Sequence, residues 1–327
     1  MITPCQHCRR PVEVELSPMG GLFRCALCKK LNILLKQDAS GVVTFKDFEI
    51  LQEVGQGANA VVCKARRASG PTIAVKLFLF DRSVDSHATR EFFRESDFLV
   101  RVEHENIVRI HSGGEHYGIP YLEMEYVEGI NMAQYLERYG KMDQFEAMTV
   151  GSYVALALDY VWSNYLMVHR DIKPQNIMIT KEGHVKVCDF GMVTAHEMAG
   201  VDLDAIEGTP YYLSPESISE SENTYQDNRS DIYSLGTTLY HLIAGQPPFD
   251  YDTVVKVITA RASEEAPDVR LALPSVTAEV SAVLRTMMAR DPEDRYVTAY
   301  ECLQDMLRVK RGEQPLLVDR SRPKVNQ

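Results

Sequence analysis

The segment that most constrains the fold of this chain is a predicted β-hairpin with a polar sequence at each end. Residues 169–176, before the hairpin, read His-Arg-Asp-Ile-Lys-Pro-Gln-Asn, and residues 188–191, after it, read Cys-Asp-Phe-Gly. Between them, two apolar strands are separated by the polar residues 181–184, Lys-Glu-Gly-His, which is typical of a turn. Strands that pair about this four-residue turn bring Asn176 opposite Asp189.

Three side chains that carry oxygen ligands are therefore expected to meet at one end of the hairpin. Asn176 and Asp189 offer the hard oxygen atoms that suit Mg²⁺, an ion that takes its other ligands from water and phosphate. Asp171 lies in a loop that Pro174 keeps irregular, where its carboxylate can orient a hydroxyl group and accept its proton. An ordinary loop with scattered acidic residues is the alternative, but three such groups in register argue against it.

These sequences resemble the catalytic loop and the magnesium motif of the protein kinases. The similarity to the eukaryotic-like, bacterial-type Ser/Thr protein kinases covers most of the chain. It implies an α+β, two-lobed kinase fold, with a β-rich N-lobe at residues 48–127 and a helical C-lobe at residues 128–308. Residues 309–327 are polar and are expected to form a poorly ordered tail.

Helical spacing of apolar residues supports a helical C-lobe. It is found at Met132–Arg138, Gln144–Trp162 and Asp231–Ile243. Asp231 shares a face with leucines in the last of these helices, so a buried acid is expected there. It either caps the helix N-terminus or, as the resemblance implies, ties the helix to the backbone of the catalytic loop, and both roles are open.

Composition excludes several classes of function. The 327 residues, 45% hydrophobic and 25% charged, suit a soluble protein of up to two domains. A net charge of −11 argues against extensive nucleic-acid binding. The sequence has neither a signal-peptide pattern nor an apolar run near the roughly 18–20 residues of a membrane span. Seven cysteines without an export signal indicate a reducing compartment, so a cytoplasmic location is expected.

Residues 1–40 carry a second motif, two Cys-x-x-Cys pairs separated by the sixteen residues 9–24. This spacing predicts a structural Zn²⁺ site with four thiolate ligands, and the segment resembles a zinc ribbon. A redox disulfide is the competing interpretation, but a single pair would suffice for it. The proposed ligands are Cys5, Cys8, Cys25 and Cys28.

The sequence gives less information about what this zinc module binds. Residues 1–40 contain six basic and three acidic side chains, a local charge of +3. Phe23 is their only aromatic residue, so a platform for stacking nucleic-acid bases is not evident. A regulatory role or a contact with another protein is therefore favoured.

The predicted N-lobe contains the features of a nucleotide site. Gly55 and Gly57 form a turn through which the backbone can approach phosphate groups. Lys76 ends an apolar strand, and Glu95 lies on the apolar face of a predicted helix at 88–102, where pairing with Lys76 would offset the cost of burial. The resemblance implies that this pair holds the phosphates of ATP. It also implies that the adenine contacts Val54, Val62, Ala74, Met124, Glu125, Val127, Met178 and Cys188.

The C-lobe sequence around residues 208–216, Gly-Thr-Pro-Tyr-Tyr-Leu-Ser-Pro-Glu, resembles the end of a kinase activation segment. Thr209 together with Lys173 is the arrangement of the Ser/Thr-specific kinases, in which the segment forms a platform for the peptide substrate. The resemblance also pairs Glu216 with Arg295.

The resemblance thus implies transfer of the γ-phosphoryl group of Mg-ATP to Ser or Thr hydroxyl groups of proteins. Asp171 and Lys173 would act on the reacting groups, while Asn176 and Asp189 would hold Mg²⁺. A pseudokinase scaffold that binds nucleotide and recruits partners through the zinc ribbon is the alternative from another class. Pseudokinases usually lack the counterparts of Lys76, Asp171 or Asp189, and this chain has all three.

Overall fold

The structure, a computed structural model, describes most of the chain and separates it into two compact units. The first unit comprises residues 1–103 and 108–127, and the second comprises residues 104–107 and 128–327. The described residues are 2–5, 8–13, 20–28, 31–35, 42–57, 60–67, 70–78, 96, 98–190, 211–218 and 227–318. No helix in these ranges combines the length and the apolar character needed to cross a membrane.

The first unit contains a six-stranded antiparallel sheet. Its strands, numbered along the chain after four short strands of the N-terminal module, are β5 (Val43–Phe45), β6 (Phe48–Gln56), β7 (Ala60–Arg67), β8 (Thr72–Phe78), β9 (Ile110–His116) and β10 (Ile119–Glu125). They lie in the order β5-β6-β7-β8-β10-β9. The apolar strand predicted to end at Lys76 is therefore confirmed as β8, which continues two residues further, to Phe78.

Side-chain alternation gives the two faces of this sheet different properties. One face carries the apolar core of the unit, to which Val61, Val75, Leu77 and Tyr121 contribute fully buried side chains. Burying such a side chain contributes about 1.5–3 kcal/mol. Residues directly opposite on antiparallel strands share a face, and Val62 pairs with Lys76 on β8. The opposite face therefore carries the even-numbered residues proposed for nucleotide binding.

Glu123, a buried charged residue in the middle of β10, belongs to a polar network that extends to the surface. Its carboxylate accepts hydrogen bonds from Arg67 Nη2 at 2.8 Å and from Ser112 Oγ at 3.0 Å. Arg67 also donates to Asp47 from Nε at 2.9 Å. The sequence alone does not show which way the Glu123 side chain points, because its partners come from two other strands of the sheet.

The N-terminal module forms two small antiparallel hairpins. Strand β1 (Ile2–Pro4) pairs with β2 (Pro11–Glu13), and β3 (Gly20–Arg24) pairs with β4 (Leu31–Leu35). Leu35, at the end of β4, packs against the apolar core of the six-stranded sheet. The module therefore contacts the sheet within the first unit.

The second unit is mainly helical. Short strands β11 (Gly129–Asn131), β12 (Ile177–Thr180) and β13 (Val185–Val187) form a small sheet. The helices are α1 (Met132–Tyr139), α2 (Gln144–Tyr165), α3 (Pro215–Ile218), α4 (Asn228–Ala244), α5 (Val254–Ser263), α6 (Val269–Ala272), α7 (Ala278–Met287) and α8 (Ala299–Lys310). The first two long helices begin where the sequence predicts, and α4 begins three residues earlier than predicted.

The described part of the C-terminal tail is packed, contrary to the expectation of poor order. The carboxylate of Asp305, fully buried on α8, accepts hydrogen bonds from the backbone N–H groups of Leu316 and Leu317, both at 2.8 Å. Thr286 also donates to the carbonyl oxygen of Val318 at 3.2 Å. The polar composition of the segment concealed this anchor, because its partner is a buried acid on a helix.

Candidate active site and metal centre

The predicted hairpin that follows Asn176 forms, but its register differs by one residue. Ile177 pairs with Val187, and the Cys188 N–H donates to the Asn176 carbonyl at 3.0 Å. Asn176 therefore lies opposite Cys188 and not opposite Asp189. The cause is a three-residue turn, in which Gly183 adopts a φ of 87° that favours glycine and so shortens the expected four-residue turn.

Asp171 is the centre of a compact cluster of polar side chains. Its Oδ2 atom accepts hydrogen bonds from Lys173 Nζ at 2.8 Å and from Asn176 Nδ2 at 2.9 Å. Asn176 Nδ2 also donates to the backbone carbonyl of Asp171 at 2.8 Å. These contacts fix the Asp171 carboxylate relative to the hairpin end, where Asp189 follows Cys188.

The donor set at this hairpin end fits a magnesium ion. Asn176 uses its amide nitrogen on Asp171, which leaves the oxygen Oδ1 as the atom to offer a cation. Asp189, one residue beyond the partner of Asn176, has a φ of 65°, an uncommon backbone conformation for a residue other than glycine. An amide oxygen and a carboxylate are ligands that Mg²⁺ accepts.

His169 connects the two ends of the hairpin. Its ring is buried, and Nδ1 accepts a hydrogen bond from the Asp171 N–H at 3.2 Å. The other nitrogen, Nε2, then carries the proton and donates to the carbonyl of Cys188 at 2.9 Å. The ring also packs on Phe190, with the centroids 4.4 Å apart. Histidine here is a structural link between the loop of Asp171 and the segment of Asp189.

Asp231, on helix α4, holds the backbone of the loop that contains Asp171. Its carboxylate accepts hydrogen bonds from the N–H groups of His169 at 2.6 Å and Arg170 at 2.8 Å. Burial raises the pKa of Asp231, and the two backbone N–H donors and the nearby charge of Arg170 act against this shift. The helix N-cap is Asp227, so the capping role considered for Asp231 is wrong and the tie to the loop is confirmed.

The first unit positions several of the proposed nucleotide residues on one face of its sheet. Lys76 pairs with Val62 on β7 and with Leu122 on β10, and its side chain is buried. Ala74 pairs with Met124 in the next row. Met124, Ala74 and Val127 are buried, whereas Val62 and Glu125 are half-buried.

Other proposed nucleotide residues lie outside this row or outside the described residues. Val54 is the additional residue of an irregularity in β6, next to the pair of Gly55 with Val62, and 39% of its surface is exposed. In the second unit, Met178 and Cys188 are half-buried. Glu95, Thr209 and most of the helix predicted at 88–102 are outside the described residues.

The four cysteines of the N-terminal module converge on one point. Their Sγ atoms all lie within 4.8 Å of one another, with Cys5 to Cys28 at 3.5 Å and Cys8 to Cys25 at 3.8 Å. Zinc–sulfur bonds of about 2.3 Å in a tetrahedron place the sulfur atoms about 3.8 Å apart. The N–H of Cys28 holds the pKa of the Cys25 thiol below its usual value, which favours the thiolate form. The site fits a zinc ion.

The predicted pair of Glu216 and Arg295 anchors helix α3. Arg295 Nη1 and Nη2 donate to the two carboxylate oxygens at 2.7 and 2.8 Å, and Ser230 Oγ donates to the same carboxylate at 2.7 Å. The Arg295 side chain is fully buried. Burial alone would raise the pKa of Glu216, but hydrogen bonds and charge from Arg295 outweigh it and lower that pKa to about 2.

Sequence reasoning missed Arg261, which contacts the segment before Glu216. Arg261 lies on α5 one helical turn after the buried residue Val257. The signal available in the sequence was an arginine on the apolar face of a helix. A guanidinium buried there needs hydrogen-bond acceptors around it.

Three comparisons place these features among known proteins. A family described as protein kinase domain matches residues 48–307. The serine/threonine-protein kinase PrkC of Bacillus subtilis is 34% identical over 261 residues, covering 79% of this chain and 40% of PrkC. The serine/threonine-protein kinase PknB of Mycobacterium tuberculosis is 35% identical over 250 residues, covering 74% of this chain and 39% of PknB. The chain thus spans about two fifths of the length of these curated relatives.

A solved structure agrees with the fold. A crystal structure of a double mutant of the PknI kinase domain from Mycobacterium tuberculosis matches with a TM-score of 0.67 and 26% sequence identity. The match covers 84% of this chain and 100% of that one.

The pair of Glu216 and Arg295 predicts a pH-dependent contribution to stability. Since the pKa of Glu216 is about 2 in the folded protein and 4.5 without its partners, the contribution is complete above pH 4.5 and declines as the pH falls towards 2. Urea unfolding should show Glu216→Gln less stable than wild type by about 2–3 kcal/mol at pH 7, with a smaller difference at pH 3. Glu313→Gln, at an exposed pair, is the control and should change stability little. A difference for Glu216→Gln that is the same at both pH values would contradict the assignment.

Proposed function

The chain belongs to the protein kinase family, and we propose that it is a Ser/Thr protein kinase that transfers the γ-phosphoryl group of Mg-ATP to protein hydroxyl groups. The observation that carries the proposal is the cluster in which Lys173 and Asn176 hold the Asp171 carboxylate, while Asn176 is paired across the hairpin with Cys188, the residue before Asp189. Serine/threonine kinases among the similar proteins support the choice of acceptor.

The chemistry assigned to the chain is mainly positioning and electrostatics. Asp171 orients the acceptor hydroxyl group and accepts its proton. Lys173, 2.8 Å from Asp171 Oδ2, supplies a positive charge beside the reacting oxygen atoms. Asn176 and Asp189 would hold Mg²⁺, which when bound neutralises charge that develops on the phosphate oxygens.

We assign nucleotide binding to residues that the sequence motifs and the register of the six-stranded sheet indicate. Lys76 and Glu95 would hold the phosphates, and Gly55 and Gly57 would let backbone N–H groups approach them. Ala74 and Met124 share the Lys76 face of the sheet, which supports their contact with the adenine. The remaining residues proposed for this contact are Val54, Val62, Glu125, Val127, Met178 and Cys188.

Specificity for Ser and Thr is assigned to Thr209 with Lys173. The segment 208–216 would present the peptide, and the anchored residues at its end support this role. A pseudokinase scaffold is the alternative function, but no observation favours it, because Lys76, Asp171 and Asp189 are all retained.

We further propose that the N-terminal module binds one structural Zn²⁺ ion and acts as a regulatory or protein-contact element. The sulfur separations of 3.5 and 3.8 Å support the metal. The contact of Leu35 with the core of the six-stranded sheet gives the module a physical connection to the kinase domain, residues 48–308. Thiolate ligands and the odd number of cysteines support a reducing, cytoplasmic location.

Removing the proposed proton acceptor should slow turnover strongly and spare nucleotide binding. We expect Asp171→Asn to lower kcat by about 10²–10⁴-fold while the Kd of Mg-ATP changes less than about twofold. Asp189→Ala should instead weaken Mg²⁺-dependent nucleotide binding. Asp252→Asn, at an exposed pair, serves as the control with wild-type rates. Near-normal phosphorylation by Asp171→Asn would indicate that the chain is a pseudokinase and that another kinase in the preparation supplies the activity.

Metal analysis tests the zinc site. Wild-type protein should contain about one zinc ion per chain, and a Cys25→Ser, Cys28→Ser double variant should contain none because two of four ligands are lost. Cys188→Ala, outside the cluster, should retain the metal. The double variant should still bind Mg-ATP, since the kinase domain has its own core. Zinc that stays bound to the double variant would refute the assignment.

A further inference from the structure

Arg261 is one of the largest buried side chains in the described part of the protein. It projects from α5, beside the buried residues Val257 and Ala260. A buried guanidinium normally needs a carboxylate partner, because removal of a charge from water is unfavourable. Among the described residues, no carboxylate forms an ion pair with Arg261.

Backbone carbonyl groups take the place of the missing carboxylate. Arg261 Nε donates to the carbonyl oxygen of Leu213 at 2.8 Å, and Nη2 donates to the same oxygen. Nη1 donates to the carbonyl oxygen of Tyr211. One planar group thus binds two carbonyls that are two residues apart, which fixes the path of the backbone between them.

Aromatic rings complete the environment of the charge. The Cζ atom of Arg261 lies 5.0 Å from the ring centroid of Tyr233 and 5.7 Å from that of Phe249. Cation–π contacts are strongest for charged groups that are removed from water. The ring of Tyr233 also lies 4.8 Å from Cζ of Arg295, so one aromatic residue contacts both buried arginines.

The two arginines hold adjacent parts of one segment. Arg295 holds the side chain of Glu216, and Arg261 holds the backbone at Tyr211 and Leu213. Between them, the Tyr212 hydroxyl group lies 2.8 Å from Nδ1 of His241 on α4. Residues 211–216 are therefore anchored at both ends and at one side chain.

We propose that Arg261 is a positioning residue for the protein substrate, because it fixes the backbone at the end of the segment 208–216 that presents the acceptor peptide. This inference rests on the proposed kinase function and deepens it. It predicts that Arg261 affects the use of the peptide substrate and not the binding of the nucleotide. Loss of the two carbonyl contacts would shift the platform while Asp171, Lys173 and Asn176 keep their own hydrogen bonds.

The test compares two acceptors in the full-length protein. Phosphorylation of myelin basic protein depends on the platform, whereas slow hydrolysis of ATP uses water as the acceptor and does not. We expect Arg261→Met to lower kcat/KM for myelin basic protein by about 10²-fold, the effect of a displacement near 1 Å. ATP hydrolysis and the KM for ATP should change less than about threefold. Arg270→Gln, on α6 and paired with Asp268, is the matched control with wild-type values.

Arg261→Lys covers the case in which Arg261→Met does not fold. Lysine keeps the charge and the apolar stem but cannot bind both carbonyls in the same fork geometry, so an intermediate loss of peptide phosphorylation is expected. Faster hydrogen exchange at residues 211–218 should accompany it.

Three results would overturn the inference. They are an unchanged kcat/KM for the protein acceptor in a folded Arg261 variant, an equal loss of ATP hydrolysis, and failure of both variants to fold, which would make the residue purely structural. Wild-type protein that phosphorylates nothing would instead refute the proposed function.

Discussion

The candidate active site depends on two hydrogen bonds that the carboxylate of Asp231 accepts from the backbone. This carboxylate lies on helix α4 and is buried. It accepts hydrogen bonds from the N–H groups of two consecutive residues, His169 at 2.6 Å and Arg170 at 2.8 Å. Arg170 has a φ of 68°, a conformation that costs about 1–3 kcal/mol for a residue other than glycine. Hydrogen bonds to a charged group contribute about 1.5–3 kcal/mol each, so two of them can offset this strain. The loop shape is therefore a property of the helix as much as of the loop.

The remaining contacts of the site follow from that loop shape. With the backbone held at 169–170, the His169 ring accepts from the Asp171 N–H and donates to Cys188. Asp171 then faces Lys173 and Asn176, and Asn176 is paired across the hairpin with Cys188. A single buried acid thus connects helix α4 to the proposed proton acceptor and to the proposed magnesium ligands.

The sequence predicted the parts of the protein that local patterns specify. The hairpin after Asn176, the long helices and the four clustered cysteines are found where the patterns indicate, and the pair of Glu216 with Arg295 is found as the family resemblance implied. The hairpin register was one residue out, because the conformation of Gly183 decides between three and four turn residues. Arg261 was missed, since its partners are backbone carbonyls that no residue type reveals. Asp305 was missed because it binds backbone N–H groups of a segment that follows it by more than ten residues.

The most direct test of this account is the rate of phosphoryl transfer in Asp231→Asn, measured by rapid quench at saturating Mg-ATP. An amide offers one acceptor oxygen, and its NH₂ group would oppose one of the two backbone N–H groups. Arg170 would then relax and Asp171 would shift. The account predicts that the rate falls by at least about tenfold, while the protein unfolds cooperatively and binds Mg-ATP with nearly wild-type affinity. A folded Asp231→Asn variant that transfers phosphate at the wild-type rate would contradict it.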